Sequence, residues 1–386
     1  MTERGRRPAE IEAGWAIDTL LIHGNQGADP ETGAVVPPIH PASTFARKSM
    51  TDGAQYRYAR GANPTRGALE AILNGLEHGA GASAFGSGMA AVSAALQLLN
   101  GGDHAIVGYD CYLSTYNFFA NDLPRYGIEC TFVDLTDVEA VRRAVRPNTK
   151  MIWIESPTNP LLDVVDLAAM AEIAREAGAL TAVDNTFASP YCQTPIDFGI
   201  DLVIHSTTKY LGGHSDLVGG AVISRTPELA AKIADRLYYL GAVPSPFDCW
   251  LLIRGIHTLG VRMKQIMSNA QAIAEWLQCH PKVTRVIYPG LPNHPAHTLA
   301  KRQMTGGFSG MVSFDVAGSV EAANRVSEGT QLLHAGDESG RRGVADLPAD
   351  GVVVHRPGAA EADSGVAVGA ASGVDPVVGG DRGCGI

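Results

Sequence analysis

The sequence predicts an α/β fold: a large, mixed but mostly parallel sheet covered by helices, followed by a smaller α+β unit. Three observations carry this expectation. Short apolar runs that end in polar residues, TKMIWIES, GALTAVDNT and DLVIHSTTK, recur among helical patterns. Strands buried on both faces read as continuous hydrophobic runs, as these do, rather than as clean alternation. After GGAVIS the pattern turns helix-rich, with VTRVIYP and SGMVSFDV as its strand-like runs.

Taken in order, residues 1–60 read as an N-terminal arm. VVPPIHPASTF holds too many prolines for a sheet interior, and QYRYARGANPTR mixes aromatics, arginines and turn residues. Such an arm needs another surface to hold it. Residues 61–240 read as the large domain. RGALEAILNGLEHG and SGMAAVSAALQLLN have helical periodicity, HAIVGYD is a strand, DVEAVRRAVR is a helix, and the three apolar strands follow. PELAAKIADRLYYL and CWLLIRGIHTLGVRMKQIMSNAQAIAEWLQC supply the later helices, and a partial smaller domain is expected over 241–330. Residues 331–386 form an atypical tail. They hold 12 glycines and no Phe, Tyr, Trp, Lys, Asn or Met, so neither an amphipathic helix nor a sustained strand is expected there, despite GVVVHRP, and the tail reads as disordered.

Composition narrows the function. A chain of 386 residues can bury a substantial core, and 45% hydrophobic against 18% charged residues mark it as globular. A net charge of −10 opposes the basic surface of a nucleic-acid binder. No uninterrupted apolar span reaches about 20 residues, so no membrane partner is expected and the cytoplasm is the expected location. Six scattered cysteines suggest neither a disulfide scaffold nor a zinc site, and the histidines form no metal-ligand pattern. His205 and His214 read as supporting or loop residues, and no metal is expected.

The chemistry concentrates at three strand ends. Glu155 and Asn159 follow the first predicted strand, Asp184 and Asn185 end the second, and Ser206, Thr208 and Lys209 follow the third. In a parallel sheet these ends converge on one pocket. A lysine so placed can carry pyridoxal phosphate as a Schiff base, although a lone lysine would read as a surface residue. Asp184 suits a protonated pyridine nitrogen, which keeps the ring an electron sink; the alternative is a carboxylate that fixes its own turn. Asn159 suits the ring hydroxylate, with a turn-forming role in PTNP as its alternative. Phosphate needs several donors, and Ser87, Gly88 and Met89 open a helix whose first amides can bind an anion. Ser206 and Thr208 add hydroxyls, with local capping as the plainer reading. Tyr112 can stack on the ring or move a proton; otherwise it is a core-edge tyrosine. Tyr58 and Arg60 have the composition of a phosphate clamp or of a solvated arm.

YRYARGANPTR, FGSGMAA, Tyr112, ESPTNP, AVDNTFASP, HSTTKYLGGHSD and SPFDCWLLIRG, in that order, resemble the Cys/Met-metabolism pyridoxal-phosphate enzymes, which include cystathionine lyases and synthases. The resemblance runs from about residue 17 to residue 325. It implies a fold-type I, transferase-like architecture and a homotetramer built from active dimers, with a sulfur-containing amino acid as substrate. It implies pyridoxal 5'-phosphate on Lys209, Asp184 at the ring nitrogen, and Asn159 orienting the ring. Gly88, Met89, Ser206 and Thr208 would hold the phosphate, Tyr112 would stack and approach the substrate, and Tyr58 and Arg60 would reach the phosphate of a neighbouring subunit. The displaced Lys209 would move the Cα proton. β- and γ-elimination and γ-replacement share this machinery, so a cystathionine β- or γ-lyase is expected, with cystathionine γ-synthase, O-acylhomoserine sulfhydrylase and methionine γ-lyase as alternatives.

Two departures qualify the resemblance. Leu113 and Ser114 follow Tyr112 where many relatives carry two small residues. After Gln331 the chain lacks both the serine-leucine-glycine-glycine segment and the RxSxG pattern bearing the substrate-carboxylate arginine. An out-of-frame reading beginning between Gln331 and Gly340 would produce such a tail. Weak turnover, or a homologue retained only as a cofactor-binding or oligomeric protein, is the expectation that follows.

Overall fold

The computed structural model describes residues 15–24, 27–47, 49, 51, 53–329, 351–355 and 366–369. In chain order its helices are α1 (Ile17–His23), α2 (Pro64–Leu76), α3 (Gly88–Leu96), α4 (Leu113–Asn117), α5 (Val138–Ala144), α6 (Leu167–Ala177), α7 (Ser189–Cys192), α8 (Pro227–Leu240), α9 (Pro246–His257), α10 (Leu259–Gln278), α11 (His297–Gln303) and α12 (Val320–Gly329). The strands β1 (Gly81–Phe85), β2 (His104–Gly108), β3 (Glu129–Val133), β4 (Thr149–Glu155), β5 (Leu180–Asp184), β6 (Leu202–Ser206) and β7 (Gly220–Ser224) form one sheet, ordered β1-β7-β6-β5-β4-β2-β3. Neighbours from β6 to β3 run parallel, whereas β7 is antiparallel to both β6 and β1.

Helices cover both faces of this sheet, and the side-chain alternation of the strands assigns each residue to one of them. On one face Ile152, Ile154, Val183, Val203 and Ile223 pack with apolar residues of α2, α5, α6, α9 and α10. On the other, Met151, Trp153, Ala182, Leu202, Ile204 and Val222 pack with α3 and α8. This two-sided burial is why the central strands lack polar alternation. It also fixes where the polar strand ends point. His205 falls on the α2 face, whereas Glu155, Asp184 and Ser206 fall on the α3 face.

Local chemistry ends the covering helices where the sequence provides caps. Asn63 accepts from the amides of Thr65 and Arg66 at the start of α2, with Pro64 in the first turn. Thr226 and Pro227 open α8, and Gly241, in the left-handed region at φ 69, closes it. The helix-rich stretch after Cys249 is two helices, divided at Thr258. The arm is irregular apart from an isolated bridge between Thr44 and Tyr58, and it is tied down at α2. There Thr65 Oγ1 donates to the Pro38 carbonyl, Asn63 Nδ2 to that of His40, and the Arg66 guanidinium to those of Ala59 and Gly61.

A second sheet follows the order β11-β10-β9-β8, with β8 at Val283–Ile287, β9 at Val312–Val316, β10 at Gly351–His355 and β11 at Val366–Gly369. Helix α10 serves both sheets. Met263 and Ile266 join the core of the first, whereas Ala270, Ala274 and Leu277 pack with Val312 and Phe314 of the second and with Tyr288 just after β8. Two tail segments therefore take strand conformation where no sustained strand was expected from the sequence. β10 contains three consecutive valines, whose branched side chains favour extended backbone, and it pairs in parallel with β9 while β11 returns antiparallel. The rest of the region 330–386, including the span in which an out-of-frame reading is expected to begin, lies outside the described residues.

Candidate active site

Glu155 and Asp184 are register partners on β4 and β5, and Asp184 lies opposite Ile204 on β6. Because they share the α3 face, these two carboxylates stand side by side at the carboxyl ends of their strands. Burial pushes both carboxyl groups upward from their ordinary range. The charge of Asp184 raises Glu155 further. For Asp184 the rise is opposed by the Thr186 amide and hydroxyl and by the positive fields of His205 and Lys209. The Thr186 N–H donates to Asp184 Oδ1 at 3.0 Å, so the turn-fixing role considered for Asp184 is present, and it coexists with a carboxylate aimed into the site.

Lys209 sits in a tight turn after β6. Its amide donates to the Ser206 carbonyl at 3.2 Å, and its carbonyl accepts from Gly213 at 2.7 Å. Arg262 of α10 braces this loop by donating to the carbonyls of Tyr210 and Gly255, at 2.8 and 2.9 Å. Gly213 has φ +70, and a Cβ there would lie 2.1 Å from the Arg262 guanidinium, so both backbone conformation and space require glycine.

The start of α3 faces the same loop. Ser87 caps the helix by accepting from the Ala90 amide at 3.1 Å, leaving Gly88 and Met89 in the first turn, where amides lack intrahelical partners. A Cβ on Gly88 would come within 2.9 Å of Ser206 Cβ. The two segments predicted to hold phosphate are thus packed against each other, an approach that only a glycine permits. Thr208 is less available than its sequence position implies. Its hydroxyl donates to the Gly219 carbonyl at 3.2 Å and accepts from the Gly219 amide at 3.0 Å, the local bonding weighed as the plainer reading.

Tyr112 is the residue before α4, and its amide donates to Glu155 Oε2 at 2.9 Å. Asn159 donates its amide to Glu155 Oε1 at 2.8 Å. Its side-chain Oδ1 is buried with no hydrogen-bond partner, which leaves a polar position for a ligand at that strand end. Arg60 and Tyr58 have their described partners elsewhere. The Arg60 guanidinium lies 4.4 Å from the centroid of the Tyr238 ring in α8, and Tyr58 is 48% exposed.

Two arrangements around the site have partners too distant in sequence to be foreseen. Behind it, Glu77 Oε1 meets His205 Nε2 at 2.6 Å and accepts from Asn185 Nδ2 at 2.9 Å. Gln193 and Gln303 continue this buried chain as far as α11. Beside it, β9 and the segment leading into it touch all three loops that follow the strand ends. Ser313 Oγ donates to the Pro160 carbonyl at 2.7 Å, Ser309 Oγ donates to that of Phe187, and the Gly310 amide donates to the Tyr210 hydroxyl at 3.2 Å.

Pyridoxal phosphate fits this set of groups. The partnerless Asn159 oxygen can take a ring hydroxyl, Asp184 can take a ring N–H, and the first-turn amides of α3 at Gly88 and Met89, packed beside Ser206, can donate to a phosphate. Among the described residues no group of His, Cys, Asp and Glu is arranged to hold a metal, and no helix is long and apolar enough to cross a membrane.

Comparison with known proteins agrees with this chemistry. The model of the Cys/Met metabolism PLP-dependent enzymes matches residues 18–350. A probable cystathionine gamma-synthase of Herpetosiphon aurantiacus is 49% identical over 318 residues, covering 82% of this chain and 99% of that protein. A cystathionine gamma-lyase of Bacillus subtilis is 51% identical over 298 residues, covering 77% of this chain and 78% of the relative. Among solved structures, cystathionine gamma synthase from Xanthomonas oryzae pv. oryzae, in complex with aminoacrylate and cysteine, superposes with a TM-score of 0.82 at 39% identity, over 89% of this chain and 87% of that one.

Proposed function

The chain belongs to the Cys/Met metabolism PLP-dependent enzyme family, and from that premise we propose that it cleaves a carbon–sulfur bond of cystathionine or a related sulfur amino acid. The observation that carries this reading is the placement of Asp184 and Lys209 at adjacent strand ends, with the partnerless Asn159 oxygen beside them. When bound, pyridoxal phosphate supplies an aldehyde for an amine and a ring that takes up the electrons left at the substrate Cα.

The chain's own residues supply the rest. Lys209 Nζ would hold the cofactor's aldehyde carbon and, when free, would move the proton at the substrate Cα. Asp184 accepts a hydrogen bond from the ring nitrogen and holds its proton in place. Asn159 would orient the ring, Tyr112 would cover its face, and Gly88, Met89, Ser206 and Thr208 would hold the phosphate, the Thr208 hydroxyl also tying the lysine loop to Gly219. Tyr58 and Arg60 act on the phosphate of a second subunit in a homotetramer assembled from dimers, and the protein works in the cytoplasm. β- or γ-elimination is the first reading, and γ-synthase or sulfhydrylase chemistry is the alternative that the same residues support. The absence of the arginine pattern after Gln331 favours a further reading, a cofactor-binding homologue with impaired turnover.

Borohydride reduction of the cofactor-loaded protein, followed by peptide mapping, is expected to leave a pyridoxyl group on Lys209; an unmodified HSTTK peptide overturns the reading. With cystathionine, homocysteine and pyruvate identify β-elimination, cysteine and 2-oxobutyrate identify γ-elimination, and formation of cystathionine from cysteine and an activated homoserine identifies the synthase. Labelling of Lys209 without any of these products identifies the impaired homologue.

A further inference from the structure

Glu155 ends β4 and is 6% exposed. Its carboxylate is divided between two loops that are far apart in sequence. Oε2 accepts from the Tyr112 amide at 2.9 Å, and Oε1 accepts from the Asn159 amide at 2.8 Å. A buried amide left without an acceptor is unfavourable, so each loop is anchored by the oxygen it meets. The lacing is reciprocal, because Asp110, two residues before Tyr112, accepts from the Leu161 amide at 3.3 Å. Directly across the sheet stands Asp184, in register with Glu155.

Two of the three residues assigned to parts of one planar ring are therefore bonded to a single side chain, and the third is its register partner. Tyr112 covers the face, Asn159 meets the hydroxyl edge and Asp184 meets the nitrogen edge. Resting on the reading of this pocket as a pyridoxal phosphate site, we propose that Glu155 is a positioning residue that sets the seat of the cofactor ring by holding the Tyr112 and Asn159 loops at a fixed separation beside Asp184. Only a carboxylate satisfies the geometry. It presents two acceptors in one plane, whereas glutamine offers one acceptor and turns an NH₂ towards the second amide.

The test compares wild type with Glu155→Gln and Glu155→Asp in three measurements: unfolding of the cofactor-free protein, cofactor affinity by titration, and visible circular dichroism per bound cofactor. Dichroism in the visible band reports how the ring is held and does not respond to stability alone. Glu155→Gln is expected to weaken cofactor binding 10- to 100-fold and to change the dichroism per bound cofactor. Glu155→Asp, which keeps both acceptors on a shorter arm, should recover part of both. Wild-type affinity and dichroism in Glu155→Gln overturn the proposal, as does a loss of stability with unchanged dichroism per bound cofactor. If the glutamine variant does not fold, the aspartate variant decides by the same readouts, and wild-type values there overturn the proposal. A wild-type protein with no visible cofactor band fails at the earlier step and takes down the functional reading itself.

Discussion

The Glu77 carboxylate and the His205 imidazole meet at 2.6 Å with each side chain only 1% exposed. Glu77 follows α2 and His205 is the penultimate residue of β6, so this contact fastens a covering helix to the strand that leads to Lys209. Glu77→Ala leaves both the imidazole and the Asn185 amide without their acceptor, and is expected to cost about 3 kcal/mol or more. Glu77→Gln keeps an oxygen at the junction and should cost about 1–2 kcal/mol. Chemical denaturation of the two cofactor-free variants beside wild type checks the order. Equal midpoints for all three would show that the contact contributes nothing.

Asp110 gives a pH dependence of definite sign. Burial first, then the neighbouring carboxylates Asp163 and Asp134, push its carboxyl from 3.8 up to about 6, against hydrogen bonds from the Thr158 side chain and the Leu161 amide. The folded chain holds this proton after the unfolded chain has released it. The stability it contributes is therefore complete below about pH 4 and is lost as pH rises towards and through 6. Asp110→Asn keeps an acceptor for Leu161 and removes the charge. Its unfolding free energy should match wild type near pH 4 and exceed it by up to about 3 kcal/mol above pH 7. A pH-independent difference between the two proteins counts against this account.

Gly88 separates stability from binding. Alanine in the first turn of a helix is ordinarily neutral or favourable, by up to about 1 kcal/mol. Here its Cβ would stand 2.9 Å from Ser206 Cβ and 3.1 Å from Ser206 Oγ, so the start of α3 and Ser206 must move apart. Gly88→Ala is expected to retain wild-type unfolding within about 1 kcal/mol while weakening cofactor binding about tenfold or more. Titration of the cofactor-free protein with pyridoxal phosphate measures the second quantity. Unchanged affinity would place the phosphate elsewhere.

The sequence makes the strand ends legible for a physical reason. A strand buried on both faces has no cause to carry polar residues until it leaves the sheet, so Glu155, Asp184 and Ser206 announce their positions. Capped helices are legible in the same way, since Asn63-Pro64 and Thr226-Pro227 act within a few residues. β1 is not. Its GASAF is too small and too weak in β-branched residues to read as a strand, and it is extended because β7 lies alongside it. Contacts set by tertiary structure are equally silent. Glu155 is visible as a polar strand end, but its hold on Tyr112 joins positions 43 apart, and the Arg60 contact with Tyr238 spans 178. For Thr208 the local bonding that the sequence offers as the plainer reading is present, with the Gly219 amide and carbonyl meeting the hydroxyl.

The hydroxyls of Ser309 and Ser313 lie well over a hundred residues beyond the loops they secure. During synthesis, Asn159, Asp184 and Lys209 leave the ribosome long before these serines are made. The braces on these loops thus come from a part of the chain that is made late. A nascent chain halted short of Ser313 would carry Asn159, Asp184 and Lys209 and still lack the bond from Ser313 to the Pro160 carbonyl beside them.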